Sequence, residues 1–332
     1  MRIGIVTPAP PGSRYGNRIT ALRWGRILRR LGNRVSILQT YADQSYDLLV
    51  ALHARRSHPS IVSFQRQNPG VPVIVALTGT DLYRDIQTNH LARESLDLAT
   101  RIVVLQPKAL EELHPGLREK ARVIYQSVEA KQAPQGIRVR SPKTRFSKRE
   151  VRSSRSFDVS VIGHLRTVKD PFRTAIASRL LPSSSMIRIL QVGGAMTAAM
   201  AARALQEMRV NHRYEWLRER SRTHVFRLLA NSQICVISSR MEGGANVLSE
   251  AITASVPILA SRIDGNTGIL GGDYPGYFDV GGTKELAQLL TRVETSTEYL
   301  AELRDRVKSL AFLFNPAREH KAWLNLNKEL FG

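Results

Sequence analysis

Short apolar runs alternate with amphipathic stretches along most of this chain, and that alternation predicts an α/β protein with two doubly wound parallel sheets. Two further observations set the division. Residues 131 to 156 are rich in Arg, Lys, Ser and Pro, lack periodicity, and read as a solvated linker between domains. A second alternating series then starts at Val159. With 332 residues the chain is long enough for two domains that each bury a core. The expected layout is an N-terminal Rossmann-like domain over 1–150, with the linker at its end. A C-terminal domain over 151–315 and a last helix over 316–332 complete it.

The first strand is 3–6, an apolar run at the very start. The first helix follows at 17–31, with Thr20, Trp24, Ile27, Leu28 and Leu31 on one face, Asn17 as its cap and Gly32 as its stop. Strands are expected at 35–38, 48–51, 73–77, 102–105 and 123–125. In the second series they fall at 159–162, 187–192, 235–237 and 258–260, with 213–217 as a further strand or sheet edge. Asp170 before Pro171 reads as a helix cap. The chain closes with a helix over 316–330, capped by Asn315.

Hydrophobic residues make up 42% of the chain and charged ones 23%, the balance of a globular domain and not of a disordered or membrane-embedded one. No apolar run approaches the roughly 20 residues that span a bilayer. The N-terminus reads as a strand and not as a signal peptide. Cys235 is the one cysteine. It sits in an apolar strand, as a buried structural thiol would. A cytoplasmic protein is the expectation. Net charge is +21, which favours anionic partners. The basic residues are dispersed, with no zinc-finger spacing and no aromatic-basic strand, so no nucleic-acid partner is expected.

The segment that carries most chemistry is 239–250. It follows the strand at 235–237, turns at Gly243 and Gly244, and opens a helix. Unpaired N–H groups and the helix dipole make such a place an anion site. Glu242 and Glu250 flank it. Two carboxylates around a phosphate cradle suit a nucleotide-sugar, with hydroxyls at both ends and a diphosphate between. Gly163 lets the chain turn after the strand at 159–162, and Arg166 and Lys169 follow. Two cations beside a helix N-terminus neutralise a leaving diphosphate without a metal. No Asp-x-Asp pair occurs, which fits a metal-free site, and no cofactor is expected.

The N-terminal loop, 7–18, joins the first strand to the first helix. Gly12 and Gly16 permit close backbone approach; Ser13, Arg14, Asn17 and Arg18 add polar groups and charge. A phosphate-bearing acceptor, or the donor's distal phosphate, suits it. His53 with its neighbouring arginines, Thr80 beside Asp81, and Lys108 follow three further strands, where a parallel sheet binds ligands. Asp81 also reads as a possible cap for the helix after it.

These motifs resemble the retaining glycosyltransferases of family four, over most of both halves. The resemblance implies the GT-B architecture: two Rossmann-like domains facing a central cleft, with the C-terminal helix packing back on the N-terminal domain. It implies that Glu250 binds ribose hydroxyls and that Glu242 holds donor-sugar hydroxyls. Backbone from Gly243 through Ala245 and Asn246 to Val247 would hold the diphosphate beside Gly163, and Lys169 would contact the phosphates. Lys169, Arg166 and Glu242 are thereby the expected catalytic group. His164 stands where the family usually has Arg.

The wording of segments 7–18, 51–57, 77–83 and 161–166 is similar to the selenosugar synthases of selenoneine biosynthesis. That resemblance implies a metal-independent hexosyltransferase that joins selenophosphate to the anomeric carbon of a UDP-sugar, chiefly UDP-N-acetylglucosamine, with UDP and phosphate lost. Gly12, Ser13, Arg14, Asn17, Arg18, His53, Thr80 and Lys108 would then meet the acceptor, and no stable membrane association is expected. The other reading is a peripheral membrane glycosyltransferase acting on a lipid or polysaccharide. An exposed helix both apolar and basic would favour it.

Overall fold

The computed structural model describes residues 1–129 and 156–332. Most of the expected linker, and the 150/151 boundary, lie outside the described residues.

The first half runs β1 (Arg2–Val6), α1 (Gly16–Arg30), β2 (Arg34–Leu38), β3 (Leu48–Leu52), α2 (Ala54–Gln67) and β4 (Val73–Ala76). A π-helical turn (Asp81–Asp85) leads into α3 (Ile86–Thr88) and α4 (His90–Asp97), then β5 (Arg101–Val104), α5 (Pro115–Arg118) and β6 (Ala121–Val123). The second half runs β7 (Phe157–Ile162), α6 (Arg173–Ser178), β8 (Ile187–Val192), α7 (Ala198–Val210), β9 (Tyr214–Trp216), α8 (Arg222–Asn231) and β10 (Ile234–Ile237). It continues with α9 (Asn246–Thr253), β11 (Ile258–Ser261), α10 (Asp264–Leu270), β12 (Tyr277–Phe278), α11 (Thr283–Thr295) and α12 (Thr297–Ser309). The last helix is α13 (Pro316–Phe331).

The described residues form two six-stranded sheets, in orders β2-β1-β3-β4-β5-β6 and β12-β11-β10-β7-β8-β9. Every pairing is parallel. Inner strands such as β3 and β10 are buried throughout, as expected when helices cover both faces of a sheet. The edge strand β12 had no counterpart in the expected series, because two residues, Tyr277 and Phe278, carry no readable alternation.

The chain divides into two compact units. The first comprises Met1–Ser127, Met241–Asn246 and Leu313–Gly332; the second comprises Val128–Arg240 and Val247–Phe312. The C-terminal helix thus belongs with the first sheet. Asn315 caps it by accepting from Ala317 N–H at 2.9 Å. Trp323 meets Trp24 of α1 edge-on, with centroids 5.0 Å apart and both rings fully buried. Such a contact adds about 0.5–1.5 kcal/mol beyond burial. The buried Glu319 carboxylate accepts from Trp24 Nε1 (2.9 Å), Ser127 N–H (2.9 Å) and Ser127 Oγ (2.5 Å).

Two expected caps are corrected. Asn17 lies inside the first turn of α1, whose cap position is Tyr15, because the helix begins at Gly16. Asp170 ends a 3-10 turn (Thr167–Lys169) in a left-handed conformation, φ 41°, and α6 starts only at Arg173. The Asp170 carboxylate instead pairs with Arg173 at 2.9 Å.

Candidate functional site

In the second sheet the strand order reverses between β7 and β10. Open α/β sheets bind ligands beyond their strand C-termini at such a reversal. The loops leaving these two strands carry the predicted donor segments, and they are tied together. Arg240 N–H donates to the Val168 carbonyl at 2.8 Å. Ser238 Oγ donates to the carbonyls of Lys169 (3.2 Å) and Asp170 (2.9 Å).

Gly163 leaves β7 with its N–H still bonded to Val192 of β8. Two neighbours lie close to this glycine. The Lys169 stem runs past it, with Cδ 3.9 Å from where a Cβ would be. On the other side Gly193, at φ 151°, comes so close that a Cβ there would lie 2.0 Å from the Gly163 oxygen. Trp216 Nε1 holds Gly193 by donating to its carbonyl at 2.8 Å. His164 Nδ1 accepts from Gly194 N–H at 3.2 Å, so this ring nitrogen joins two loops. Arg166 is exposed and Lys169 half-buried.

Helix α9 opens at Asn246, and Val247 to Ile252 are all buried. Glu250 Oε1 accepts from Arg222 Nη2 of α8 at 3.3 Å. Nothing in the local sequence marks this partner, which arrives from another helix. Cys235 is fully buried in β10, and burial pushes its thiol up to about 12, so it is a structural thiol, as expected.

In the first sheet the order reverses between β1 and β3. Their ends align, with Val6 opposite Ala51, so the loops after them emerge side by side. The β1 loop carries Gly12, Ser13 and Arg14. Gly12 takes a left-handed φ of 77°, and Ser13 Oγ donates to the Pro10 carbonyl at 2.8 Å. Asn17 and Arg18 fall in the first turn of α1, where no side chain caps the helix and no acidic residue stands. Arg18 Nε and Nη1 are buried with no hydrogen-bond partner, a state that favours an anion beside them.

The segment Met241–Asn246 packs within this same unit. Arg23 Nη2 donates to Asn246 Oδ1 at 2.5 Å, and its Nη1 donates to the Ser127 carbonyl at 2.8 Å. A Cβ on Gly243 would lie 2.6 Å from the Thr78 carbonyl carbon and 2.7 Å from Gly79 N. One on Gly244 would lie 2.7 Å from Leu105 Cβ. Close packing alone therefore requires both glycines. Glu242 is buried between Met241 and this turn, and Ala245 is buried too.

His53 follows β3 directly and occupies the cap position of α2 at φ 75°. Its ring is buried; Nδ1 accepts from Arg56 N–H at 3.4 Å, and Nε2 lies 3.4 Å from Thr80 Oγ1. Burial lowers its pKa below the ordinary His range, against the pull of Asp81 and Asp85 and with help from Arg56 and Arg55. Asp81 does not cap the helix after it. Its carboxylate turns back to accept from the N–H groups of Thr78 (3.0 Å), Gly79 (2.8 Å) and Ala54 (3.2 Å). Asp85 lies 3.0 Å from Arg55 Nε and 3.1 Å from Arg84 Nε. These partners were invisible to spacing, since β3 and β4 bring them together. Lys108 stands in a 3-10 turn (Pro107–Leu110) after β5. Among the described residues no group of three or more His, Cys, Asp or Glu is placed to hold a metal ion.

The family model for glycosyl transferases group 1 matches residues 142–310. HepE of Anabaena, solved in complex with UDP and glucose, superposes with a TM-score of 0.77 at 14% identity, covering 99% of this chain and 100% of that one. Sucrose-phosphate synthase from Thermosynechococcus elongatus gives a TM-score of 0.79 at 15% identity, covering 99% of each chain. A glycosyltransferase from Rickettsia africae gives 0.74 at 12% identity, covering 99% and 98%. No curated protein matches the chain in sequence.

Proposed function

The chain belongs to the group 1 glycosyl transferases, and from that premise we propose that it moves a sugar from a UDP-sugar, chiefly UDP-N-acetylglucosamine, to selenophosphate. The observation that carries the donor half is the pair of tied loops at the reversal of the second sheet. They bring Gly163, Arg166 and Lys169 together with the end of β10. HepE, of the same fold, has been solved with UDP-glucose, which supports a uridine nucleotide donor.

In this reading selenium attacks the anomeric carbon as the bond from that carbon to the diphosphate oxygen breaks. The electron pair leaves with UDP. Lys169 and Arg166 offset the growing charge on the diphosphate. Glu250, held by Arg222, receives ribose hydroxyls, and Glu242 receives those of the sugar. Water then cleaves the P–Se bond, releasing phosphate and a selenosugar. A selenium nucleophile is readily deprotonated and needs no strong protein base, unlike a sugar hydroxyl. The small anionic acceptor suits the uncapped start of α1 and the buried Nε and Nη1 of Arg18. No metal enters the scheme.

Mass spectrometry of the purified protein with UDP-N-acetylglucosamine and fresh selenophosphate, anaerobic and reducing, tests this. The expected result is a selenium-bearing sugar with stoichiometric UDP, unaffected by EDTA. Full loss in EDTA that magnesium restores overturns the metal-free scheme. UDP release with no selenosugar overturns the acceptor.

One observation favours a lipid or polysaccharide acceptor at a membrane surface instead. Met196, Leu205, Met208 and Val210 on and beside α7 are 38–57% exposed, Arg203 and Arg209 are exposed among them, and the helix's one acidic residue, Glu207, is buried. That is the apolar and basic helix such a reading calls for. No described helix is long and apolar enough to cross a membrane. Co-sedimentation with phosphatidylglycerol vesicles, abolished by Leu205→Glu, would favour this second reading.

A further inference from the structure

We propose that His53 is a positioning residue that sets the Thr80 hydroxyl to donate a hydrogen bond to a phosphoryl oxygen. The ligand class rests on the transfer reading above; the positioning rests on the geometry of the first unit alone.

Nδ1 of the imidazole has the Arg56 backbone nitrogen at 3.4 Å and the Asp81 Oδ2 at 4.0 Å, the latter beyond hydrogen-bond reach. Nδ1 faces the N–H of Arg56, a group that can only donate. Nδ1 is therefore the acceptor, and the ring proton sits on Nε2. The nearest acceptor to Nε2 is Thr80 Oγ1 at 3.4 Å. Asp85 Oδ2 is further, at 3.9 Å, and Arg55 already approaches it to 3.0 Å. The Thr80 oxygen thus receives the His53 proton, and its own hydrogen must point elsewhere. His53 is buried and Thr80 only partly so, which leaves the accessible side for that hydrogen. Burial disfavours the charged ring, against the pull of Asp81 and Asp85.

The backbone around the pair is held in unusual conformations. His53 is left-handed, which is uncommon for a residue with a side chain, and Thr80 leads directly into a π-helical turn. Both features concentrate at functional sites. Asp81 fixes the Thr78–Gly79 turn through its backbone N–H groups and ties it to the start of α2.

The surroundings name the ligand chemistry. Strands β3, β4 and β5 are neighbours, so the segment carrying Thr80 follows the strand between the two that lead to Arg56, in the first turn of α2, and to Lys108. The Gly243 backbone packs directly against Thr78 and Gly79. The hydroxyl therefore lies beside the turn expected to meet phosphate. The phosphoryl oxygen belongs either to the acceptor or to the donor diphosphate.

Long-range proton–nitrogen NMR of the histidine rings, assigned with His53→Asn, tests both parts. Asn tolerates the left-handed backbone and its Oδ1 still accepts from the Arg56 N–H, but its amide nitrogen stands at the place of the ring Cδ2, one atom short of the Nε2 donor position. The expected spectrum has His53 neutral and protonated at Nε2. Its Nε2 signal moves on adding inorganic phosphate or UDP, and Thr80→Val abolishes that movement. A response to phosphate alone assigns the acceptor, and to UDP alone the donor. A ring protonated at Nδ1, or no response to either anion, overturns the proposal. In turnover, His53→Asn and Thr80→Val should each raise one substrate's KM about tenfold, the scale of one hydrogen bond. The double variant should be no worse than either, and Thr80→Ser should recover wild-type KM. Additive losses, or a Thr80→Ser as impaired as Thr80→Val, also overturn it. UDP binding by calorimetry on the same samples reports separately on the transfer reading: a protein that ignores UDP yet shifts with phosphate keeps this proposal and loses that one.

Discussion

Lys169 and Glu250 carry opposite lessons at the scale of single residues. Lys169 is expected at an anion site because a glycine, a strand end and two cations share one short loop. Its stem does run past Gly163. Lys169→Ala should lower turnover about 10²–10³-fold, the cost of removing one charge from a developing diphosphate. An unchanged kcat in a stopped assay would remove it from the mechanism. Glu250 was legible as a carboxylate on a helix, but its partner Arg222 was not, since the pair spans α8 and α9. Of the two readings open for Asp81, the helix cap fails for the same reason. A carboxylate beside a helix start looks like a cap in sequence, whereas here it bonds backward to the turn and across to α2.

At the scale of elements, loops between adjacent strands decide the geometry. Gly193 drew no attention as a site residue, yet its backbone packs onto Gly163 closely enough to exclude any Cβ. Gly193→Ala should force the β7 and β8 loops apart. The expected outcome is a loss of about 1–3 kcal/mol and weaker UDP binding by calorimetry, with a normal far-UV spectrum. Unaltered UDP affinity would detach this contact from the donor site. Helix boundaries were legible where punctuation is strong, as at Asn315 with Pro316 and at Gly32 with its φ of 83°. They were not legible at Asn17, because a good cap residue was outcompeted by a helix that starts one residue earlier.

For the whole molecule, the return of α13 to the first unit is the long-range event. Glu319 anchors it by accepting three hydrogen bonds from Trp24 and Ser127. Glu319→Ala would leave those buried donors unpaired and should cost about 3 kcal/mol, read as a lower midpoint in thermal unfolding. A midpoint equal to wild type would make the anchor dispensable. The sequence by itself determined the two α/β series, every strand of the two sheets but the edge strand β12, the last helix and the glycosyl transferase family, because these depend on local periodicity and short motifs. Only the tertiary structure decided which strands are neighbours. With that it decided that His53 meets Thr80, that Arg222 meets Glu250, and that the turn at Gly243 lies against Thr78. Contacts between residues far apart in the chain follow from strand order, and strand order is a property of packing that no local pattern encodes.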